Sequence, residues 1–155
     1  MSRVSEPTAA IDTTGQPGAA DDTAADHLAS AWHDLSIRFH RIQCTLDREL
    51  HDRHQLTASE FEVLEQLCAA DGHSLRMNDL AGEVHLTQSA LSRVVGRLEK
   101  DGLVHRTMCA TDRRSVFAAL TPAGITRYDQ ARPTQRRILA ELCVGCPDLL
   151  REQAR

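Results

Sequence analysis

TQSALSRVVGRLEKDG, residues 87–102, decides how the rest of the chain is read. As a helix it has two faces. Leu91, Val94, Val95 and Leu98 recur at three- and four-residue spacing and make an apolar stripe. Ser89, Ser92, Arg93, Gly96 and Lys100 fall on the opposite side, flanked by Gln88 and Arg97. That side carries short hydrogen-bonding groups, cations and no bulky aromatic. It suits the floor of a DNA major groove, where side chains must reach base edges. An ordinary amphipathic surface helix has the same apolar pattern, so the flanking sequence has to decide.

Upstream, Leu56-Thr57-Ala58-Ser59-Glu60 reads as a helix start. Thr57 is the cap, Glu60 closes a capping box three residues on, and Leu56 is placed to staple onto Phe61. Phe61, Leu64 and Leu67 then face a core, and the helix is predicted to end around Ala70-Asp71-Gly72. A short helix over about 77–84 packs Leu80, Ala81 and Val84. His85 and Leu86 link it to Thr87, the cap of the opening stretch. Two helices, a tight turn and a polar-faced second helix make a helix-turn-helix.

Downstream, Gly102 is a C-cap glycine. Residues 103–108 and 115–120 are strand-like and enclose Cys109-Ala110-Thr111-Asp112-Arg113-Arg114, a hairpin with a basic tip. Thr121-Pro122 opens another helix, with apolar positions at Ile125, Tyr128, Ile138, Leu139 and Leu142. Pro133 predicts a kink or break in it. Gly145 and Pro147 punctuate, and Leu149 and Leu150 begin a short terminal helix. At the other end of the chain, Leu28, Trp32, Leu35, Phe39, Ile42, Leu46 and Leu50 trace a long amphipathic helix with no obvious partner within a small domain. Residues 1–25, rich in Ala, Thr, Asp, Gly and Pro, read as a disordered tail.

The 155 residues carry a formal charge of −4, which by itself argues against nucleic acid. The distribution argues for it. Residues 1–60 hold five Arg and ten Asp/Glu, whereas residues 84–120 hold six Lys/Arg against three acids. The cations therefore gather on and just after the opening helix, as a phosphate backbone requires. No apolar run reaches membrane length, and the N-terminus lacks the apolar core of a secretory signal. Five cysteines form no disulfide framework and fit a reducing cytoplasm.

A helix-turn-helix followed by a basic hairpin is a winged helix. LAGEVHLTQSALSRVVGRLEKDGLVHR, with TDRRSVFAALTPAG after it, resembles the MarR family of bacterial transcriptional regulators. The resemblance implies a mainly α fold with a small β-hairpin wing (α+β). It divides the chain into a tail (1–25), an N-terminal dimerisation helix (26–54), a winged helix-turn-helix lobe (55–120) and C-terminal dimerisation helices (121–155). It implies a homodimeric repressor, not an enzyme, that grips a pseudo-palindromic site on double-stranded DNA. By position, Gln88, Ser89, Ser92 and Arg93 would face bases or adjacent phosphates, and Arg97 and Lys100 the backbone. Arg114 would enter the minor groove, Asp112 would brace it or serve turn chemistry, and Arg113 would meet a phosphate. The family usually has glycine where this chain has His85, a departure at the turn: a positive φ there is tolerable for His but uncommon outside glycine.

The resemblance also implies a small-molecule effector, phenolic or otherwise an anionic aromatic, for which Trp32, His33 and Phe39 are candidates. Packing is the competing role for Trp32 and Phe39. A redox- or metal-switched regulator of the same fold would use Cys44, Cys109 or the Cys143/Cys146 pair, a C-x-x-C without the second pair that zinc sites need. His40 with Cys44 and His51 with His54 have chelating spacing, which eight histidines produce readily by chance. No nucleophile motif or phosphate loop supports an enzyme, and no cofactor or metal is expected.

Overall fold

The structure, a computed structural model, describes residues 19–108 and 115–142. It contains α1 (Ala19–His54), α2 (Ala58–Ala69), a 3₁₀ turn (Asp71–His73), β1 (Ser74–Arg76), α3 (Met77–Glu83), α4 (Gln88–Lys100), β2 (Val104–Met108), β3 (Val116–Leu120) and α5 (Pro122–Leu142). The chain divides into two compact units between Arg38 and Phe39, within α1. The described part of the first unit is helix alone, with Leu28, Trp32, Leu35 and Ile37 exposed. Its helix begins at Ala19, inside the segment predicted to be tail. Ala19–Asp26 holds four alanines, strong helix formers, and three aspartates suited to the positive end of the helix dipole.

The second unit is the winged helix. Its core gathers Leu50 of α1, Leu56, Leu64 and Leu67, Leu80, Leu91 and Leu98, and Ile138 of α5, all essentially buried. The capping box forms as predicted. Thr57 Oγ1 accepts the Glu60 N–H at 3.2 Å, and Glu60 Oε2 accepts the Thr57 N–H at 2.7 Å. Leu56 and Phe61 are buried in one cluster, as a hydrophobic staple requires. Asp47 of α1 accepts the Ala58 N–H at 2.7 Å, a second tie on the start of α2.

Between α3 and α4, His85 takes φ +50°, the left-handed geometry predicted for a position usually held by glycine. The Leu86 N–H then reaches back to the Ala81 carbonyl at 3.2 Å and closes α3. Thr87 caps α4 by accepting the Ala90 N–H. Gly102, at φ +72°, ends α4 and lets the Leu103 N–H bond to the Leu98 carbonyl at 2.9 Å. The helix-turn-helix thus rests on local signals at each of its joints.

Two expectations need correction. The wing is not a lone hairpin: β1 adds to it, giving an antiparallel sheet in the order β1-β3-β2, with Leu75 opposite Ala118 and Thr107 opposite Phe117. Three residues are too few for a period-2 signal, and Ser74–Arg76 is a strand because β3 offers it an edge. Nor does Pro133 break α5, which is assigned as helix from Pro122 to Leu142. Pro133 and Asp129, four residues before it, both lie on the exposed side of the helix, where water can replace the N–H that proline lacks. Buried Ala131, Gln135 and Ile138 hold the helix on either side. The wing tip, with Cys109, Asp112, Arg113 and Arg114, lies outside the described residues. So do Cys143, Cys146 and the predicted terminal helix.

Candidate nucleic-acid interface

Leu91, Val94, Val95 and Leu98 seat α4 on the core, and its outward ridge carries Ser89, Arg93, Gly96 and Lys100. Ser89, Arg93 and Lys100 are exposed. Arg93 and Lys100 have no hydrogen-bond or ion-pair partner among the described residues. Gln88 opens the helix and is also exposed. Ser89 Oγ lies 3.2 Å from Thr87 Oγ1. These four residues remain available to a duplex.

Two other predicted contact residues are engaged within the protein. Arg97 Nε meets Glu60 Oε1 at 2.9 Å, while the other Glu60 oxygen holds the capping box. Glu60 is buried, with 8% of its side chain exposed against 58% for Arg97. Arg97 therefore neutralises a buried carboxylate, and a phosphate contact would compete with that pairing. Ser92 faces Arg106 of β2: Arg106 Nη2 donates to the Ser92 carbonyl at 2.8 Å and lies 3.4 Å from its hydroxyl.

Arg106 is the residue that sequence reading passed over. Its Nη1 also meets Glu99 Oε2 at 3.2 Å, and its backbone N–H donates to Glu99 Oε1 at 3.2 Å. The signal was available: strand alternation places Arg106 on the side of buried Val104, toward α4. A surface groove of about 430 Å³ runs here, lined by Arg76, Asn78, Gln88, Ser92, Arg106 and Ser115 among others. Arg76 lies over the ring of its register partner Phe117 at 5.5 Å, a cation–π contact on the face of the sheet opposite Arg106, which pairs with Ala118.

The other candidates separate. Trp32, His33 and Phe39 are exposed along α1. A cavity of about 190 Å³ in the second unit is lined by Gln43, Leu50, Phe61, Glu62, Glu65 and Gln135, with no cation in its lining. Burial raises the Glu62 carboxyl above its ordinary value, only partly offset by His85. Cys44 is exposed, with Sγ 3.6 Å from His40 Nε2. Burial pushes the Cys68 thiol up, away from the thiolate that oxidation chemistry needs. His54 Nε2 lies 2.8 Å from Thr134 Oγ1. No group of three or more metal-ligating side chains occurs among the described residues. Nor is any described helix long and apolar enough to cross a membrane.

A capped, polar-ridged helix behind a short helix and beside a three-stranded wing defines a winged helix-turn-helix. The model of the MarR family matches residues 56–116, from the start of α2 to the wing, and this segment is a MarR-family domain. The HTH-type transcriptional regulator YhjH of Bacillus subtilis is 33% identical over 99 residues, 63% of this chain and 55% of that protein. The homoprotocatechuate degradative operon repressor of Escherichia coli is 31% identical over 85 residues, 55% of this chain and 56% of that protein. The chain thus spans a little over half the length of these two relatives. Among solved structures, the fold is similar to Sco3205, a MarR family transcriptional regulator from Streptomyces coelicolor in complex with DNA. Its TM-score is 0.75 and its identity 26%, covering 81% of this chain and 83% of that one. AbsC, a MarR family regulator from the same organism, gives a TM-score of 0.72 and 28% identity over 81% and 85% of the two chains.

Proposed function

We propose that the chain is a sequence-specific DNA-binding transcriptional regulator that acts as a homodimeric repressor on a pseudo-palindromic operator. One observation carries this reading. The ridge of α4 keeps Arg93 and Lys100 unpaired among the described residues, although acids lie close enough to engage Arg97 and Arg106. Exposed cations on a groove-sized helix are what phosphates and guanine edges bind. A regulator of known sequence similarity crystallised on DNA, and a repressor among the relatives, support the same reading. Gln88, Ser89 and Arg93 are assigned to bases and Lys100 to backbone, with Arg113 on phosphate and Arg114 in the minor groove, braced by Asp112.

The apolar residues exposed on α1 are assigned to a second copy of the chain, which sets two half-sites about one helical turn apart. An aromatic acid or phenol is the effector class, with His33 as its contact beside the dimer face that takes Trp32 and Phe39. The cavity at Glu62 and Glu65 does not suit an anion, because its lining offers two carboxylates and the nearby Arg136 is already paired with Glu65. The deciding experiment is a mobility-shift titration of the full chain on its own upstream region at several salt concentrations. A steep fall of affinity with salt and a preference over scrambled DNA are expected. Equal, salt-independent binding to both would reject the function.

A further inference from the structure

We propose that Arg106 is a positioning residue: it fixes the roll of α4 against the wing, so that base preference depends on a side chain that touches no DNA. This rests on the DNA-binding reading above. The apolar stripe of α4 holds the helix down, but hydrophobic burial is non-directional and sets its rotation loosely. Base-edge contacts tolerate only about 10–20° of error. Directional bonds must supply the difference, and they occur on opposite flanks of the helix.

On one flank, Arg106 donates to the Ser92 carbonyl at 2.8 Å and to Glu99 at 3.2 Å, two turns of α4 held by one guanidinium. Its backbone N–H adds a third bond to Glu99 at 3.2 Å, which fastens strand β2 itself to the helix. On the other flank, Arg97 is drawn to Glu60 at 2.9 Å, and Glu60 is anchored in the capping box of α2. Rolling α4 in either direction stretches one clamp. Between the clamps stand the exposed ridge residues Ser89, Arg93 and Lys100.

The same geometry argues that Arg106 is not itself a phosphate ligand. Only 30% of its side chain is exposed, and its two terminal guanidinium nitrogens already meet a carboxylate, a carbonyl and a hydroxyl. Ser92 likewise serves the clamp, with its carbonyl and hydroxyl both turned to Arg106.

The test is a mobility-shift comparison of the full-length wild type with Arg106→Ala, Arg106→Lys and Glu99→Gln on operator and scrambled duplexes across a salt series. For Arg106→Ala the operator-to-scrambled affinity ratio is expected to fall at least tenfold, while the salt slope stays that of wild type. Arg106→Lys, which cannot hold both turns of α4, should restore little of the ratio. Should Arg106→Ala fail to fold by circular dichroism, Glu99→Gln carries the test: it removes the ionic half of the clamp and should lower the ratio in the same sense. A salt slope shallower by about 0.9, with equal loss on both duplexes, would make Arg106 a phosphate contact and overturn the proposal. An unchanged ratio would overturn it as well. A wild type that prefers no sequence would instead reject the DNA-binding reading, and this proposal with it.

Discussion

Gly124 and Leu103 meet backbone to backbone. A β-carbon on Gly124 would fall onto the Leu103 carbonyl oxygen, with the Leu103 carbonyl carbon and Leu120 Cδ2 each only 3.0 Å away. The contact is drawn tight by Thr121, whose N–H donates to the Leu103 carbonyl at 3.0 Å and whose hydroxyl donates to Gly102 O at 2.7 Å. Thr121 Oγ1 also accepts the Gly124 N–H at 3.0 Å. Here the first turn of α5 is pinned on the start of the wing. The obstacle to any side chain is backbone, which cannot swing aside. Gly124→Ala is therefore expected to destabilise the fold by about 3 kcal/mol, at the upper end for overpacking. Chemical denaturation measures it, and a loss below about 1 kcal/mol would mean that α5 can slide off the wing.

Gly96 poses the opposite case. A β-carbon there would have only Arg106 Nη2 near it, at 3.9 Å, an ordinary contact. Folding does not require glycine at this point, and in mid-helix it costs up to about 1 kcal/mol relative to alanine. Gly96→Ala should therefore raise the melting temperature. Because position 96 lies on the ridge between Arg93 and Lys100, the added methyl should also weaken operator binding. A stabilised variant that binds as well as wild type would show that this ridge does not enter the groove.

Arg93 and Arg113 should fail differently. Arg93, unpaired among the described residues, stands on the ridge near the start of α4, where a guanidinium reaches base edges. Arg93→Ala should cost about 1–3 kcal/mol on the operator and relax base preference. Arg113→Ala should weaken all sequences alike and make the salt slope shallower by about one phosphate. Competition binding against single-base operator variants separates the two behaviours, and identical profiles would refute the assignment.

Much of this site was legible because its signals are local. The Thr57–Glu60 box, the Thr87 cap, the positive φ at His85 and the Gly102 stop each depend on residues within one turn, and each appears where the sequence put it. What escaped reading depends on partners distant in sequence. Nothing near Arg97 announces that Glu60, at the start of another helix, will claim it. Arg106 counted only as positive charge until β2 and α4 were seen side by side. β1 was missed for the same reason, since its three residues become a strand only because β3 leaves an edge open. Pro133 misled in the other direction: a local breaker was overruled by tertiary burial of Ala131, Gln135 and Ile138.

His54 ties stability to pH. Its ring is bonded to Thr134 Oγ1 at 2.8 Å, and its carbonyl accepts from Arg127 Nη1 at 2.7 Å. Burial first, then the charges of Arg127 and Arg53, hold its pKa below the ordinary histidine value of about 6.5. The folded chain thus takes up this proton less readily than the unfolded chain. The stabilisation is complete above the unfolded value and is lost as pH falls through the folded one. Wild type should lose more stability than His54→Gln on going from about pH 7.5 to 5, read from denaturation midpoints. Parallel losses in the two proteins would show that His54 titrates alike in both states.

Leu28, Trp32 and Phe39 are 72%, 69% and 61% exposed. Full burial of such side chains yields roughly 1.5–3 kcal/mol each, so these three with Leu35 offer about 6–12 kcal/mol to a partner surface. The cost of association, about 4–15 kcal/mol, is of the same size, so further contacts along α1 and α5 would add to the interface's margin. Wild type should therefore sediment as a dimer at micromolar concentration. Leu28→Glu combined with Trp32→Glu should shift it to monomer, because two carboxylates would have to be buried beside their symmetry mates. The winged-helix unit begins at Phe39, after both substitutions, so its circular dichroism should persist while operator affinity collapses to that of one half-site. Wild-type monomers at that concentration, or a double variant that still dimerises, would remove α1 from the assembly and leave the half-site spacing without a physical basis.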